Sequence, residues 1–284
     1  MSISISSRDD ADGFQILLDR QSALDIGAFV VDGTDLAPGI AIPSDGDLRI
    51  DHALQGFFFT CGPDHVRHPE PIAGGPEGRL YPLHGSLCGT PVGRTEMTGA
   101  DDRPGCFAET SVDLADGGTA LVSRHWAISD GASEITLSDR VTNTGETAFA
   151  PMLMYHMNIG GWLCGESTLI SGAMMADGSE HFLFGEGDSA HLCLPAAETA
   201  VDGWARLALG PFEALGGRSL QVRFRVDTLP FLQIWRCQRG TADVVSIEPV
   251  SHRIASRTAL AEAGELPLLH PGETIDYALA FRVG

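Results

Sequence analysis

The chain has 284 residues, of which 38 are acidic and 18 are basic, so its formal net charge is -20 at pH 7. Such a surface repels phosphate backbones and anionic lipid, and we therefore expect neither a nucleic-acid nor a membrane partner. All 18 basic residues are arginines, which excludes a Schiff-base lysine, a pyridoxal phosphate anchor and a Walker-type phosphate lysine.

The cysteines, the N-terminus and the hydropathy together favour a cytoplasmic protein of one domain. The six cysteines form no CxxC pair and are too sparse for a disulfide scaffold. The opening residues, MSISISSRDDADG, lack the basic start and apolar run of a signal peptide, and no stretch approaches ~18 apolar residues. Because no linker or low-complexity segment divides the chain, we expect a single domain over residues 1–284.

Glycine and proline recur along the whole chain and cut it into short segments, so few windows hold a helical period. The segments 62–91 and 176–203 are expected to be long loops, and the first of them contains three histidines. Alternating or wholly apolar runs between turn signals predict six strands: 132–143, 151–161, 220–227, 231–238, 243–250 and 274–284. This pattern predicts an all-β fold, either an antiparallel sandwich or a large barrel-like domain.

Residues 151–161, PMLMYHMNIGG, contain the first candidate site residues. In a strand alternate side chains share a face, so His156 and Asn158 lie on one side, with Tyr155 and Met157 on the other. Both faces are largely apolar, which indicates a central strand. Buried polar groups need partners, so His156 is either a core histidine satisfied by a neighbour or a group that faces a ligand.

Three further segments hold polar residues suited to chemistry. In YPLHGSLCGTP, His84 precedes a glycine and either presents its ring to a cleft or is an ordinary loop histidine. In VVSIEPV, Glu248 ends a strand, where desolvation would raise its pKa towards that of a general base; a solvated carboxylate is the alternative. In PFLQIWRC, Gln233 and Trp235 share a face, an arrangement that stacks on and hydrogen-bonds a sugar or belongs to an ordinary core strand.

The phrases LHG, YHMN, QIW and IEP follow one another in this order along the chain. On a β-rich chain of this length, the ordered set resembles the galactose mutarotase-like (aldose 1-epimerase) superfamily, and most closely a bacterial branch of unassigned function. The resemblance covers roughly residues 50 to 250. It implies a single-domain antiparallel β-supersandwich, a carbohydrate ligand and the interconversion of sugar anomers without a cofactor or a metal.

Carried over to this sequence, the resemblance implies that His156 is the general acid, that Glu248 is the general base and that His84 lies near the sugar ring oxygen. Histidine and a tuned glutamate both exchange protons near neutral pH, as the opening and reclosing of a hemiacetal require. The expected substrate-binding residues are Asn158, Gln233, Trp235, Arg79 and His65. The family's arginine has no counterpart at matching spacing, because neither Arg67 nor Arg79 fits it.

Two alternatives stay open at this point. The first is a sugar-binding protein without catalysis on the same fold, since a fold does not fix a function. The second is a metal-dependent sugar isomerase, because five potential ligands lie close together in sequence: His52, Cys61, His65, His68 and His84. Their Pro/Gly-rich loop would not fix ligand geometry. The sequence HGSLCG lacks the GxSxG spacing of a serine hydrolase, so that class of enzyme is not favoured. The sequence is compatible with either a monomer or a homodimer.

Overall fold

The computed structural model describes residues 2–7, 13–40, 46–100, 103–129 and 134–284. In chain order its strands are β1 (Ser2–Ser6), β2 (Phe14–Asp19), β3 (Asp25–Val31), β4 (Thr34–Asp35), β5 (Phe58–Cys61), β6 (Glu70–Pro71), β7 (Leu80–Tyr81), β8 (Arg94–Ala100), β9 (Arg103–Asp113), β10 (Thr119–Ile128), β11 (Ile135–Asn143), β12 (Met154–Gly160), β13 (Leu169–Gly172), β14 (Ser179–His181), β15 (Ser189–Pro195), β16 (Trp204–Phe212), β17 (Arg218–Arg225), β18 (Phe231–Cys237), β19 (Val244–Val250) and β20 (Thr274–Val283).

The helices are α1 (Leu48–Gln55) and α2 (Arg257–Glu262), with single 3₁₀ turns at Gly161–Leu163, Ala197–Thr199 and Glu213–Leu215. The α1 helix begins where the Asp47 side chain accepts a hydrogen bond from the Arg49 backbone amide. No helix in the ranges described is long and apolar enough to cross a bilayer.

In the described part of the chain, the strands form two antiparallel sheets of nine strands each and the small hairpin of β6 and β7. Neighbours in the first sheet follow the order β1-β2-β3-β5-β12-β19-β18-β15, with β4 beside β3. The second sheet has the order β14-β13-β16-β17-β20-β11-β10-β9-β8. Both sheets combine strands from distant parts of the chain, so neither half folds around a core of its own.

The sheets face each other across one apolar core, to which β12 contributes Tyr155, Met157 and Ile159 and the preceding residue contributes the Leu153 side chain. The opposite face of β12 carries Met154, which belongs to a second buried cluster on the outer side of the first sheet. Helix α1, helix α2 and the loop between β5 and β8 cover this outer side. The two faces of β12 therefore contact different layers of the protein.

A buried ion cluster joins the two sheets behind β12. Arg124 on β10 is 1% exposed and forms ion pairs with Asp25 on β3 (2.9 Å) and Asp139 on β11 (2.7 Å). The Tyr155 hydroxyl donates to the same Asp139 carboxylate at 2.9 Å. Because a buried charge is tolerated only when it is paired, these contacts fix how the sheets meet.

The predicted fold class is confirmed, since the protein is an all-β antiparallel sandwich. Each of the six predicted segments contains a strand, although residues 132–133 lie outside the described residues. Residues 151–161 hold a central strand, because β12 pairs with β5 on one side and β19 on the other. The prediction that 176–203 is an irregular loop was wrong in part: β14 and β15 lie there, and β15 is the edge strand of the first sheet.

Candidate active site

A cavity of about 190 Å³ lies on the outer side of the first sheet. Its floor is made by strands β12, β15, β18 and β19, and its walls by α1 and by the loop that follows β5. Its volume is below the ~300–1,000 Å³ typical of pockets for drug-sized molecules, which limits it to a small ligand. The lining residues are Ile50, Leu54, Val66, Arg67, His68, Leu83, His84, Met154, His156, His191, Gln233, Trp235 and Glu248.

Antiparallel pairing arranges the polar residues of the floor in two adjacent rows across the strands, because paired residues point to the same face. In one row Phe59 pairs with His156, while Gln233 pairs with both Glu248 and Cys193. In the next row Ser246 pairs with both Asn158 and Trp235, and Trp235 pairs with His191. The strand ladders therefore set the spacing of the site.

The His156 ring is held by a hydrogen-bonded chain that ends on the backbone. Its Nδ1 lies 2.7 Å from Asn158 Oδ1, and Asn158 Nδ2 donates to the Gly56 carbonyl at 3.1 Å. A carbonyl only accepts, so the Asn158 amide nitrogen must face Gly56 and its oxygen must face the ring. His156 Nδ1 consequently carries a proton, and Nε2 of the neutral ring carries none.

Glu248, which is 2% exposed, contacts three polar side chains. Its Oε1 lies 3.2 Å from His156 Nε2 and accepts the Ser246 hydroxyl, while its Oε2 lies 3.6 Å from His191 Nε2. With Glu248 ionised and His156 neutral, two proton acceptors face each other across the 3.2 Å contact. One proton bound between these two atoms would turn the contact into a hydrogen bond. The pair can therefore accept and release a proton, as an acid–base centre must.

The electrostatics of Glu248 differ from the prediction. Burial raises the pKa of its carboxyl, as expected, but attraction to His156 and His191 and the hydrogen bonds of His191 and Ser246 outweigh burial. The net pKa falls to about 2, so the predicted rise was wrong. Burial lowers the pKa of His156, although the negative charge of Glu248 acts to raise it. At neutral pH the site therefore holds a carboxylate beside a neutral imidazole.

His84 enters the cavity from the loop, at a left-handed backbone position with φ of 57°. Its Nδ1 lies 3.1 Å from the Val66 carbonyl and 3.3 Å from Cys61 Sγ, so Nδ1 carries the ring proton. Burial and the proximity of His156 lower the pKa of His84 to about 3, although the negative charge of Glu248 acts to raise it. The next residue must be Gly85, because its φ is 82° and a Cβ there would collide with the His65 carbonyl.

Gln233 and Trp235 complete the polar side of the cavity. Gln233 is 1% exposed, and its Nε2 has no hydrogen-bond partner among the described residues. A buried donor of this kind is rare in proteins unless a ligand or water satisfies it. Trp235 meets His156 edge-on at 6.0 Å between ring centroids, while Phe59 stacks on the same imidazole at 4.6 Å.

The structure brings six of the eight residues predicted for the site together at the cavity: His84, His156, Asn158, Gln233, Trp235 and Glu248. Asn158 touches His156 from behind and does not line the cavity. Arg79 lies outside this lining, exposed on the β6–β7 hairpin, and Arg67 lines the cavity instead. His65 also lies outside the lining, where its ring stacks on Tyr81 and its Nε2 bonds the His68 carbonyl.

The potential metal ligands do not converge. Across the described ranges no group of three or more His, Cys, Asp or Glu side chains is arranged to hold a metal ion. His52 lies on α1 beside Asp19, and Cys61 packs against His84. His65 bonds a backbone carbonyl.

His191, Ser246, Arg67 and His68 were not predicted as members of the site. His191 was missed because its segment was interpreted as a loop. The available signal was the alternation in SAHLCLP, whose Ala190, Leu192 and Leu194 pack on the core while His191 takes the other face. Ser246 carried a clearer signal, because it shares a strand face with Glu248.

Comparisons with known proteins agree with this fold. The family model described as Domain of unknown function (DUF4432) matches residues 9–177 and 194–283, and no curated protein matches the chain. A candidate aldose 1-epimerase from Klebsiella pneumoniae superposes with a TM-score of 0.79 at 15% identity, covering 99% of this chain and 87% of that one. A galactose mutarotase-like protein from Clostridium acetobutylicum gives a TM-score of 0.65 at 10% identity, covering 100% and 98%.

A galactose mutarotase related enzyme from Lactobacillus acidophilus superposes similarly, with a TM-score of 0.63 at 10% identity and coverage of 99% and 97%. At these identities the likeness shows the fold, and it confirms the predicted resemblance to galactose mutarotase-like proteins. The segment between the two matched ranges, residues 178–193, includes His191.

Proposed function

This chain belongs to the family described as Domain of unknown function (DUF4432) and has the galactose mutarotase-like fold, and on that premise we propose that it interconverts the anomers of a sugar. One observation carries the proposal: the buried Glu248–His156 pair, which is one proton short at the floor of a small cavity. The pair accepts a proton from a ligand hydroxyl and can return it to a neighbouring oxygen.

The reaction follows from this arrangement. Glu248 takes the proton of the anomeric hydroxyl and passes it to His156 Nε2, the bond between the anomeric carbon and the ring oxygen breaks, and His156 Nε2 gives that proton to the ring oxygen. The open aldehyde rotates and the ring recloses with the roles reversed. The anomeric hydroxyl oxygen and the ring oxygen are bonded to the same carbon. The two protein atoms that exchange protons with them, Glu248 Oε1 and His156 Nε2, are also close together, 3.2 Å apart.

The other side chains bind and position. Gln233 Nε2 is an unpartnered donor that a sugar oxygen would satisfy, and the Trp235 ring lines the same cavity. Asn158 and Gly56 hold the His156 tautomer, and Ser246 and His191 orient the carboxylate of Glu248. His84 Nε2, which carries no proton, is a second acceptor beside the ring.

The test is direct measurement of anomer exchange by saturation-transfer NMR over a panel of aldoses. We expect accelerated exchange for at least one sugar, reduced by about 10²–10⁴-fold in Glu248→Gln and in His156→Gln, as for other general acid–base groups. The exposed carboxylate of Glu198 offers a matched control, and Glu198→Gln should exchange at the wild-type rate. Exchange that is unchanged in Glu248→Gln would contradict the proposal.

A sugar-binding protein without catalysis is the second candidate, and the low pKa of Glu248, about 2, favours it, because a weakly basic carboxylate is a poor general base. The same experiment separates the two functions. Sugars that bind without faster exchange in the wild type would support binding alone.

We also propose that residues 1–284 form one domain and that the protein works in a reducing compartment such as the cytoplasm. All six cysteines are free, which supports a reducing compartment. Limited proteolysis should give one protected core, and two stable fragments would contradict the single domain.

A further inference from the structure

Arg67 lies in the loop between β5 and β6, lines the cavity and is half-buried. Neither an ion pair nor a side-chain hydrogen bond joins its guanidinium to the residues that the structure describes. The neighbouring His68 lines the same rim of the cavity. Its cation therefore faces the ligand space with no ion-pair partner among the residues that the structure describes.

The position of the Arg67 charge is indicated by its effect on β15. Burial raises the pKa of the Cys193 thiol, and the charges of Arg67 and Arg253 lower it. Cys193 pairs with Gln233, a residue that lines the cavity and whose buried Nε2 has no hydrogen-bond partner among the described residues. Arg67 from the loop and Gln233 from the first sheet line the same cavity.

Other arginines around the cavity are already occupied. Arg253 forms an ion pair with Glu265 at 2.8 Å. Arg257 lies 4.2 Å from the Tyr81 ring centroid and donates to the Asp64 and Ala150 carbonyls. In a chain with 38 acidic residues, a cavity arginine without a carboxylate is not explained by a shortage of carboxylates. Guanidinium groups bind carboxylate and phosphate in a two-pronged geometry, which suits a ligand that brings its own anion.

We propose that the ligand of this cavity is an anionic sugar, whose carboxylate or phosphate group binds Arg67 at the rim while its anomeric end meets Glu248 and His156. The inference rests on the proposed function for the position of the anomeric end. The orientation follows from charge, because the buried Glu248 carboxylate repels an anion and Arg67 attracts it. Gln233 donates to an oxygen of the ring between these two ends.

The experiment compares anionic sugars with their neutral parents: glucuronate and glucose 6-phosphate against glucose, and galacturonate and galactose 6-phosphate against galactose. Calorimetry measures binding, and NMR exchange measures anomer interconversion on the same samples. In the wild type we expect one anionic probe to bind about 10- to 100-fold more tightly than its parent, as a charged hydrogen-bonded contact provides. Whether the uronate or the phosphate shows the preference identifies the anion.

Arg67→Gln should remove the preference and leave the neutral parent nearly unaffected. Arg79→Gln is the matched control, since Arg79 lies exposed on the adjacent β6–β7 hairpin outside the cavity lining, and it should retain the preference. Equal binding of anionic and neutral probes, or a preference that survives Arg67→Gln, would overturn the inference even if exchange is fast. Arg67-dependent binding of an anionic probe without faster exchange would uphold the inference and refute the proposed catalysis.

Discussion

Replacing Glu248 with glutamine tests the electrostatics of the site without changing its shape. The glutamine amide can donate to His156 Nε2, which lacks a proton in the neutral ring, and its oxygen can still accept the Ser246 hydroxyl. The folded structure should therefore be retained. What the variant loses is the negative charge and, with it, the proton acceptor.

The size of the effect on stability follows from the pKa of Glu248, which is lowered from 4.5 to about 2. This difference of about 2.5 units corresponds to about 3 kcal/mol that favours the ionised form in the folded protein. Because the folded pKa is the lower one, the contribution is lost as the pH falls from about 4.5 towards 2. Glutamine resembles the protonated form, so the wild type should exceed the variant by about 3 kcal/mol where His156 is protonated, and by less at neutral pH, where the neutral ring does not attract the carboxylate.

Urea unfolding, followed by tryptophan fluorescence at a series of pH values from about 7 to about 3, measures this difference. The wild-type advantage should shrink steadily below about pH 4.5. Glu198→Gln, on the exposed surface, should stay within about 0.5 kcal/mol of the wild type throughout. A Glu248→Gln variant as stable as the wild type at every pH from about 7 to about 3, or a difference that does not change with pH, would refute the reasoning.

Asn158→Leu should lower exchange, shift its pH profile and reduce stability by about 1–3 kcal/mol, because His156 loses the acceptor that fixes its tautomer and a buried carbonyl loses its donor. Kinetics across pH and urea unfolding check this. Gly85→Ala should cost about 1–3 kcal/mol and impair exchange, since its positive φ and the collision with the His65 carbonyl displace the neighbouring His84. Thermal unfolding and exchange rates measure both effects, and an unaltered protein would contradict them. Wild-type stability should decline as the pH falls below about 6.5, because the unfolded chain protonates His84 there while the folded protein holds it neutral down to a pKa of about 3. Unfolding of His84→Gln over the same pH range should show a smaller decline.

The strand floor of the site was predictable because antiparallel pairing is determined by short-range patterns. The apolar runs on either side of RGTA indicate one hairpin, and that hairpin places Gln233 opposite Glu248. The two apolar faces of residues 151–161 indicate a central strand, and the period of two puts His156 and Asn158 on one side. In this part of the site the alternation of side chains along a strand determines which polar residues share a face.

The walls of the site were not predictable in the same way. Arg67 lies in the loop between β5 and β6 and Arg79 lies in the turn of the β6–β7 hairpin, and neither segment has a hydrophobic period. Contacts from distant parts of the chain hold this region, such as the bond from Arg257 to the Asp64 carbonyl. Helix α1 has a short, mixed sequence whose apolar residues find their partners only in the folded protein. The pKa of Glu248 was mispredicted because a strand end in the sequence shows neither full burial nor the two histidines around it.

The division of the cavity between strands and loop has a consequence for how such proteins diversify. The candidate proton-transfer residues Glu248 and His156 lie on strands that pair on both sides, whereas Arg67 and His68 lie on a connection that no ladder constrains. Changes in that connection alter which molecule is admitted without moving the atoms that react. We therefore expect related chains to differ mainly in the loop between β5 and β6, residues 62–69, and a transplanted loop to carry its ligand preference with it.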